Sequence, residues 1–246
     1  MKKFFQIKNT TNIVLFSFST LLLLFSFSFY FANAQEEIIT IVPGSSDPNR
    51  YRFFDITEYP ISIGEEIKWY NADNIIHNII VTSSNGKTIV AQSADIKPKE
   101  FFSYKFAKQG GEYTFQSSKY NWMKGKIIVT DDIKNIKKSM ENDIDIYISW
   151  MPSSSIKSGE KIIFKIIFVD KKSERNQEHI DYSFTIHNST SDTVLYKNAV
   201  THSAWGIEQA SHKFDSSGTF IGKLRIEGIL FQPIEPDNTE FEIQVK

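Results

Sequence analysis

The chain has 246 residues, with 28 Lys and Arg against 29 Asp and Glu, a formal net charge of −1, and no cysteine. The absence of cysteine excludes a disulfide framework and any thiolate-built zinc or copper site. The near-neutral balance gives no electrostatic footprint for nucleic acid, and the length leaves room for one large or two modest domains.

The first 34 residues differ in character from the rest. Lys2, Lys3 and Lys8 form a basic start, Ile13 to Phe31 is almost unbroken apolar sequence, and Ala32-Asn33-Ala34 places small residues where a signal peptidase reads them. Residues 1–34 are therefore expected to be a signal peptide, with Gln35 opening the mature chain. The apolar run approaches the ~20 residues that span a bilayer, so a retained membrane anchor through residues 13–32 is the alternative. Either way, the remainder is expected to be secreted, periplasmic or at the cell surface. Without the segment, three of the 28 basic residues and no acid are lost, leaving 25 against 29, a charge of −4.

From Glu37 onward the apolar period is two. Ile67 and Trp69 alternate with Lys68 and Tyr70; Phe102, Tyr104 and Phe106 alternate with Ser103 and Lys105; Tyr113, Phe115 and Ser117 share a face. Turn dipeptides (Asn85-Gly86, Lys97-Pro98, Gly110-Gly111) separate the runs, which predicts an antiparallel β-sandwich over 35–132. Residues 133–142 are polar and charged, and are expected to be a linker with at most one helical turn. The strand pattern returns from Ile144. Ile162 to Val169 is an almost continuous apolar run, as in a central strand; Tyr182, Phe184 and Ile186, and later Phe220, Leu224 and Ile226, alternate with polar residues; Phe241, Ile243 and Val245 close the chain. Several short strands with Asn, Ser, Gly and Pro turns predict a second, immunoglobulin-like sandwich over 143–246. The fold class is all-β throughout.

Two segments of the first sandwich carry a more specific pattern. Trp69, Asn71, Asp73, His77 and Asn78 keep one spacing; Gly110-Gly111, Tyr113, Phe115, Ser117, Tyr120, Trp122, Met123 and Gly125 keep another. Together they resemble the cupredoxins, the plastocyanin-like type 1 copper proteins. In that family a W-x-N-x-D-x-x-x-H segment supplies one histidine. A later Y-x-F/Y-x-C-x-x-H-P-x-M-x-G loop supplies cysteine, a second histidine and methionine. The resemblance implies a Greek-key sandwich over about residues 37–130, with His77 and Met123 at two ligand positions. Ser117 stands at the cysteine position and Tyr120 at the second histidine position.

Type 1 copper needs the covalent thiolate bond that sets its potential. A serine hydroxyl is a neutral, hard donor with little affinity for Cu(I), and Tyr120 would have to lose a proton with a reference pKa near 10. One imidazole and one thioether remain, too few for a tight site. The expectation is a small hydrogen-bonded plug, in which the backbone of Asn78 bonds the Ser117 oxygen and Ser117 bonds the His77 ring. No cofactor is then expected, with copper on His77, Met123 and Tyr120 as the alternative. Met123 reads first as core filling. Tyr120 and Trp122 lie on the loop that forms the partner-docking patch in the family. The partner is expected to be a protein at the cell surface or a redox partner.

The other four histidines lie in the second half. His179 and Asp181 are expected on one strand face, about 7 Å apart, with His187 about 26 Å further along. His202 lies in a loop-like segment, 201–206, able to approach either of them. Solvated strand-face polar groups are the simpler reading. Ser203 beside His202 lacks a nucleophile elbow and an ordered third group, so hydrolase chemistry is rejected and no enzymatic activity is expected. Asn188-Ser189-Thr190 is a glycosylation sequon in an expected turn. The C-terminal block from His179 through Gly228–Ile234 to Val245 resembles β-sandwich domains of exported archaeal proteins, a likeness that implies no chemistry.

Overall fold

The computed structural model describes residues 36–107 and 109–246. The signal peptide expected at 1–34 and the alternative anchor at 13–32 lie outside these residues. Among the described residues there is no helix, and the elements are 17 strands.

The first half holds β1 (Glu37–Ile41), β2 (Glu58–Ile61), β3 (Glu66–Asn71), β4 (Ile80–Ser83), β5 (Ile89–Gln92), β6 (Phe101–Lys105), β7 (Gly111–Gln116) and β8 (Lys124–Val129). They form a three-stranded sheet in the order β1-β3-β6 and a five-stranded sheet in the order β2-β8-β7-β4-β5. Two pairings, β1 with β3 and β2 with β8, are parallel; the rest are antiparallel. Alternation decides what each strand buries. Ile67 and Trp69 of β3 point inward against Phe115 of β7 and Ile127 of β8, and all four are buried. Gly125 is required where it stands: a Cβ there would lie 2.1 Å from the Phe115 ring, which is wedged against Phe54 and Trp69.

The second half holds β9 (Lys134–Ser139), β10 (Ile144–Met151), β11 (Lys161–Asp170), β12 (Arg175–Asn176), β13 (Ile180–Asn188), β14 (Val194–Ser203), β15 (Ile207–Lys213), β16 (Gly218–Ile229) and β17 (Gln232–Val245). One sheet runs β12-β11-β10-β9 with β15 also on β11; the other runs β14-β13-β16-β17. Their inner faces close one core, with Ile146, Phe164 and Phe168 meeting Tyr182, Phe184, Leu224 and Phe241.

The stretch expected as a linker, 133–142, contains β9, which pairs with β10 from Lys134↔Trp150 to Ser139↔Asp145. Its polarity is that of an edge strand: only Ile136 packs on the core, while Lys134, Lys137 and Ser139 are exposed. Lysine on an exposed edge discourages pairing with other chains and is compatible with a strand. Polarity alone therefore misread it.

Glu36–Lys246 form one compact unit, and β11 shows how. Its Ile162, Phe164, Ile166 and Phe168 enter the second core, while Ile167 and Val169 join the first-half core with Ile207, Tyr147 and Trp205. A strand covered on both faces has no reason to alternate, which accounts for its continuous apolar run. At this junction Lys165 is 2% exposed, ion-paired with Glu37, and sits 4.6 Å over the Tyr59 ring. Around it Lys161 meets Glu58 at 2.8 Å, Gln209 bonds the Glu58 amide at 3.1 Å, and Arg52 lies 3.7 Å from Glu208.

Asp55, also buried, accepts the amides of Thr40 at 2.9 Å and Ile56 at 2.8 Å. Burial pushes its carboxyl up to about 7, against those hydrogen bonds and the Arg52 charge. The folded chain then keeps a proton that the unfolded chain, with an ordinary Asp near 3.9, has released. Stability contributed by this group falls as pH rises from about 4 to about 7, by on the order of 3–4 kcal/mol. Asp55→Asn should flatten that slope in denaturant midpoints taken at pH 4, 5.5 and 7. An equal slope in the variant would show that Asp55 is not its source.

Candidate functional site

The site grows from the end of β3. Asn71 is fully buried; its Nδ2 donates to the carbonyls of Ile75 at 2.7 Å and Ile96 at 2.9 Å, and its Oδ1 accepts the Asp73 amide at 3.0 Å. This one side chain folds 71–75 back onto the segment around Ile96. His77 then exchanges both backbone hydrogen bonds with Ile96, at 3.1 and 2.8 Å, so its Cα is fixed from two sides. Asp73 completes the mounting. Its Oδ1 accepts the Gly44 amide at 3.0 Å and the Asn74 amide at 2.8 Å, and its Oδ2 lies 2.9 Å from His77 Nε2. Burial raises the Asp73 carboxyl, but the Gly44 amide, the His77 ring and the Asn74 amide outweigh it and hold it below the usual carboxylate range. A carboxylate only accepts, so the proton of this contact sits on Nε2. Nδ1 is left as a lone pair, fully buried and without a hydrogen-bond partner. A carboxylate holding the far nitrogen of an imidazole is how metal proteins orient their ligands.

The Ser117 side is closed. Ser117 is 1% exposed, and its Oγ donates to Asn78 Oδ1 at 3.0 Å while accepting the amides of Lys119 at 3.1 Å and Tyr120 at 3.2 Å. Asn78 Oδ1 also takes the Ser118 amide at 3.1 Å, and its Nδ2 donates to Ser118 Oγ. The hydrogen bonds of Ser117 differ from the expected ones. The side chain of Asn78, not its backbone, meets Ser117, and no bond joins Ser117 to the His77 ring. The hydroxyl is already spent on two backbone amides and an amide oxygen, which a serine oxygen can satisfy without the ring.

Tyr120 packs its ring 5.3 Å from that of His77 and 5.5 Å from that of Trp122, tilted against both. Trp122 is half-buried and its Nε1 donates to the Ser45 carbonyl at 3.0 Å. Met123 is fully buried within the core, with its amide on the Tyr120 carbonyl and its carbonyl accepting the Ser117 amide. Tyr120 thus contacts His77 through its ring, Ser117 through its amide and Met123 through its carbonyl.

A type 1 copper ion does not fit this donor set. His77 Nδ1 offers a lone pair and Met123 a thioether, but position 117 presents a saturated hydroxyl and position 120 a phenol. Among the described residues no group of three or more His, Cys, Asp or Glu converges as a metal cage. Sequence reasoning noted the spacing of Asp73 but missed its role; a carboxylate four residues before a buried histidine was the available signal.

In the second half, His202 lies within β14, not in a loop, and its Cα partner is Asp181. Polar, exposed strands of this kind carry little apolar periodicity to read. His202 Nδ1 meets Asp181 Oδ1 at 2.7 Å, and His202 Nε2 meets His179 Nδ1 at 3.0 Å. His187 stands apart, with Asp192 Oδ1 at 3.1 Å and Thr185 Oγ1 at 2.9 Å. Asn188 ends β13, and its Oδ1 accepts the amides of Thr190 at 2.9 Å and Ser191 at 3.0 Å in the turn that follows.

No family model matches the chain, and no curated protein matches it. Among solved structures, it is similar to a purple cupredoxin from Nitrosopumilus maritimus: 26% identity, 39% of this chain and 100% of that one covered, TM-score 0.36. It is also similar to amicyanin variants in the Cu(I) form, at 17% and 18% identity, covering 39% of this chain and 83% of theirs, with TM-scores of 0.31 and 0.32. The strands from β1 to β8, whose shared core contains Met123, form a cupredoxin-like segment in which His77 is fully buried.

Proposed function

We propose that this chain is an exported protein whose cupredoxin-like segment has exchanged its copper for a hydrogen-bonded plug, and that it acts as a non-enzymatic binding or structural module. The observation that carries this reading is the saturation of Ser117: its Oγ makes three hydrogen bonds at the atom where a thiolate would have to bind copper. Export rests on the basic-then-apolar segment of residues 1–34 with its Ala32-Asn33-Ala34 end. The adjoining, half-buried rings of Tyr120 and Trp122 are the surface offered to a protein partner. The second sandwich, taken as immunoglobulin-like, joins the first through the Lys165 junction. Asn188 is the proposed attachment point if the chain is glycosylated.

A second reading is favoured by one atom. The unpartnered Nδ1 of His77, oriented by Asp73, is a vacant imidazole donor, as an electron carrier or copper-oxidase accessory subunit with an altered ligand set would need. Calorimetric titration with Cu(I) separates the two. The plug predicts isotherms that superimpose for the full chain and its His77→Ala and Met123→Ala variants. Loss of one bound equivalent in both variants would establish the second reading.

A further inference from the structure

The strained end of the second sandwich is organised around two imidazoles. Leu230 and Phe231 form the two-residue turn joining β16 to β17, closed by the Ile229↔Gln232 pair. Both have positive φ, +50° and +64°, in a conformation that such turns normally fill with Asn-Gly. His179, just before β13, is also left-handed at +56°, and its carbonyl accepts the Leu230 amide at 2.8 Å. Bulky residues at positive φ are outliers, and they persist where surrounding structure holds them. What these three positions achieve is local: the Phe231 ring lies 4.2 Å from the His179 ring and 5.2 Å from that of His202.

The hydrogen bonds set the protons. Asp181 only accepts, so His202 Nδ1 carries a proton and His202 Nε2 a lone pair. That lone pair faces His179 Nδ1 at 3.0 Å, which is therefore the donor. Moving the His179 proton from Nδ1 to Nε2 leaves lone pairs on both facing nitrogens, with no proton gained or lost. With the rings turned so that both lone pairs meet at one point and the nitrogens kept 3.0 Å apart, each about 2.0–2.1 Å from a metal, they subtend about 91–97° at it. That is the cis angle of a tetragonal ion; tetrahedral zinc would need them about 3.3 Å apart. The His202 side chain is 38% exposed, so an ion can arrive from solvent and keep water at its other positions.

We propose that His179 Nδ1 and His202 Nε2 form a two-imidazole site for a tetragonal divalent ion of the Cu(II) class. Asp181 positions His202 from its far nitrogen, and Phe231 covers one side. The site is separate from His77 and stands whether or not the plug reading does.

Cu(II) titration of the full chain, followed by calorimetry and electron paramagnetic resonance, tests it. One equivalent with a tetragonal nitrogen-ligated spectrum is expected, lost in His179→Ala and in His202→Ala and retained in His77→Ala. Asp181→Asn should weaken it about 10- to 100-fold. Thermal melts that match the unmodified chain would assign the losses to the ligands. Binding that survives either histidine change, or no bound Cu(II) at all, overturns the site; loss in His77→Ala alone moves the ion to the cupredoxin-like segment.

Discussion

Ser117→Cys combined with Tyr120→His is expected to turn this chain into a copper protein. The scaffold for that outcome is already assembled. His77 presents Nδ1 as a lone pair with Asp73 behind it, and Met123 lies fully buried in the same loop cluster. Position 117 is also prepared for a thiolate, because the amides of Lys119 and Tyr120 already donate to the side-chain atom there. Amide donors aimed at a sulfur stabilise its anionic form. The one group facing the wrong way is Asn78 Oδ1, which accepts from Ser117 and has to rotate so that Nδ2 faces the sulfur. The double variant should gain at least about a thousandfold in copper affinity, about 4 kcal/mol, over the unmodified chain, together with the intense absorption of a copper–thiolate bond. Each single change should fall far short, since Ser117→Cys alone lacks the second imidazole and Tyr120→His alone lacks the thiolate. A folded double variant with no such band would mean that the loop has drifted from copper geometry.

Lys165→Ala should cost about 3–5 kcal/mol of stability. The ammonium is 2% exposed, faces a Glu37 carboxylate that is 13% exposed, and lies over the Tyr59 ring. Removing one partner strands the other in a nearly dry junction, and Glu37 already adds to the burial that raises the carboxyl of Glu65. The lost stem also leaves a void between the two halves. The double change Lys165→Met with Glu37→Gln removes both charges while keeping volume, and should recover most of the loss. Urea unfolding of the three variants measures it. A loss below about 1 kcal/mol for Lys165→Ala would place the pair among ordinary surface ion pairs, and the junction would then owe its stability mainly to apolar contacts such as those of Ile167, Val169 and Ile207.

The legible parts of this molecule were those where one force dominates. Two-residue alternation marked β3, β13 and β16 because each has one wet and one dry face. Gly125 was readable as a family position, and its physical reason is the Phe115 ring that occupies the space of a side chain. The continuous apolar run of β11 announced a central strand, although nothing local could say that its second covering is the first sandwich. Where polar groups decide, reading by pattern failed. Residues 134–139 resemble a linker because an edge strand is polar by design, and His202 resembles a loop residue because its strand is exposed. The wiring of the plug depends on which of several nearby donors reaches Ser117, a choice made by distances of a few tenths of an ångström.

The proposed plug leaves His77, held by Asp73, as an imidazole that copper does not occupy. The nitrogen chemical shifts of the His77 ring, measured by long-range proton–nitrogen correlation before and after one equivalent of Cu(I), test this at the atom itself. The hydrogen bonds predict an Nε2–H tautomer with a bare Nδ1, and the proposed plug predicts the same two shifts after copper is added. A large displacement of the Nδ1 resonance on adding Cu(I) would contradict the plug and return this segment to the copper-binding proteins.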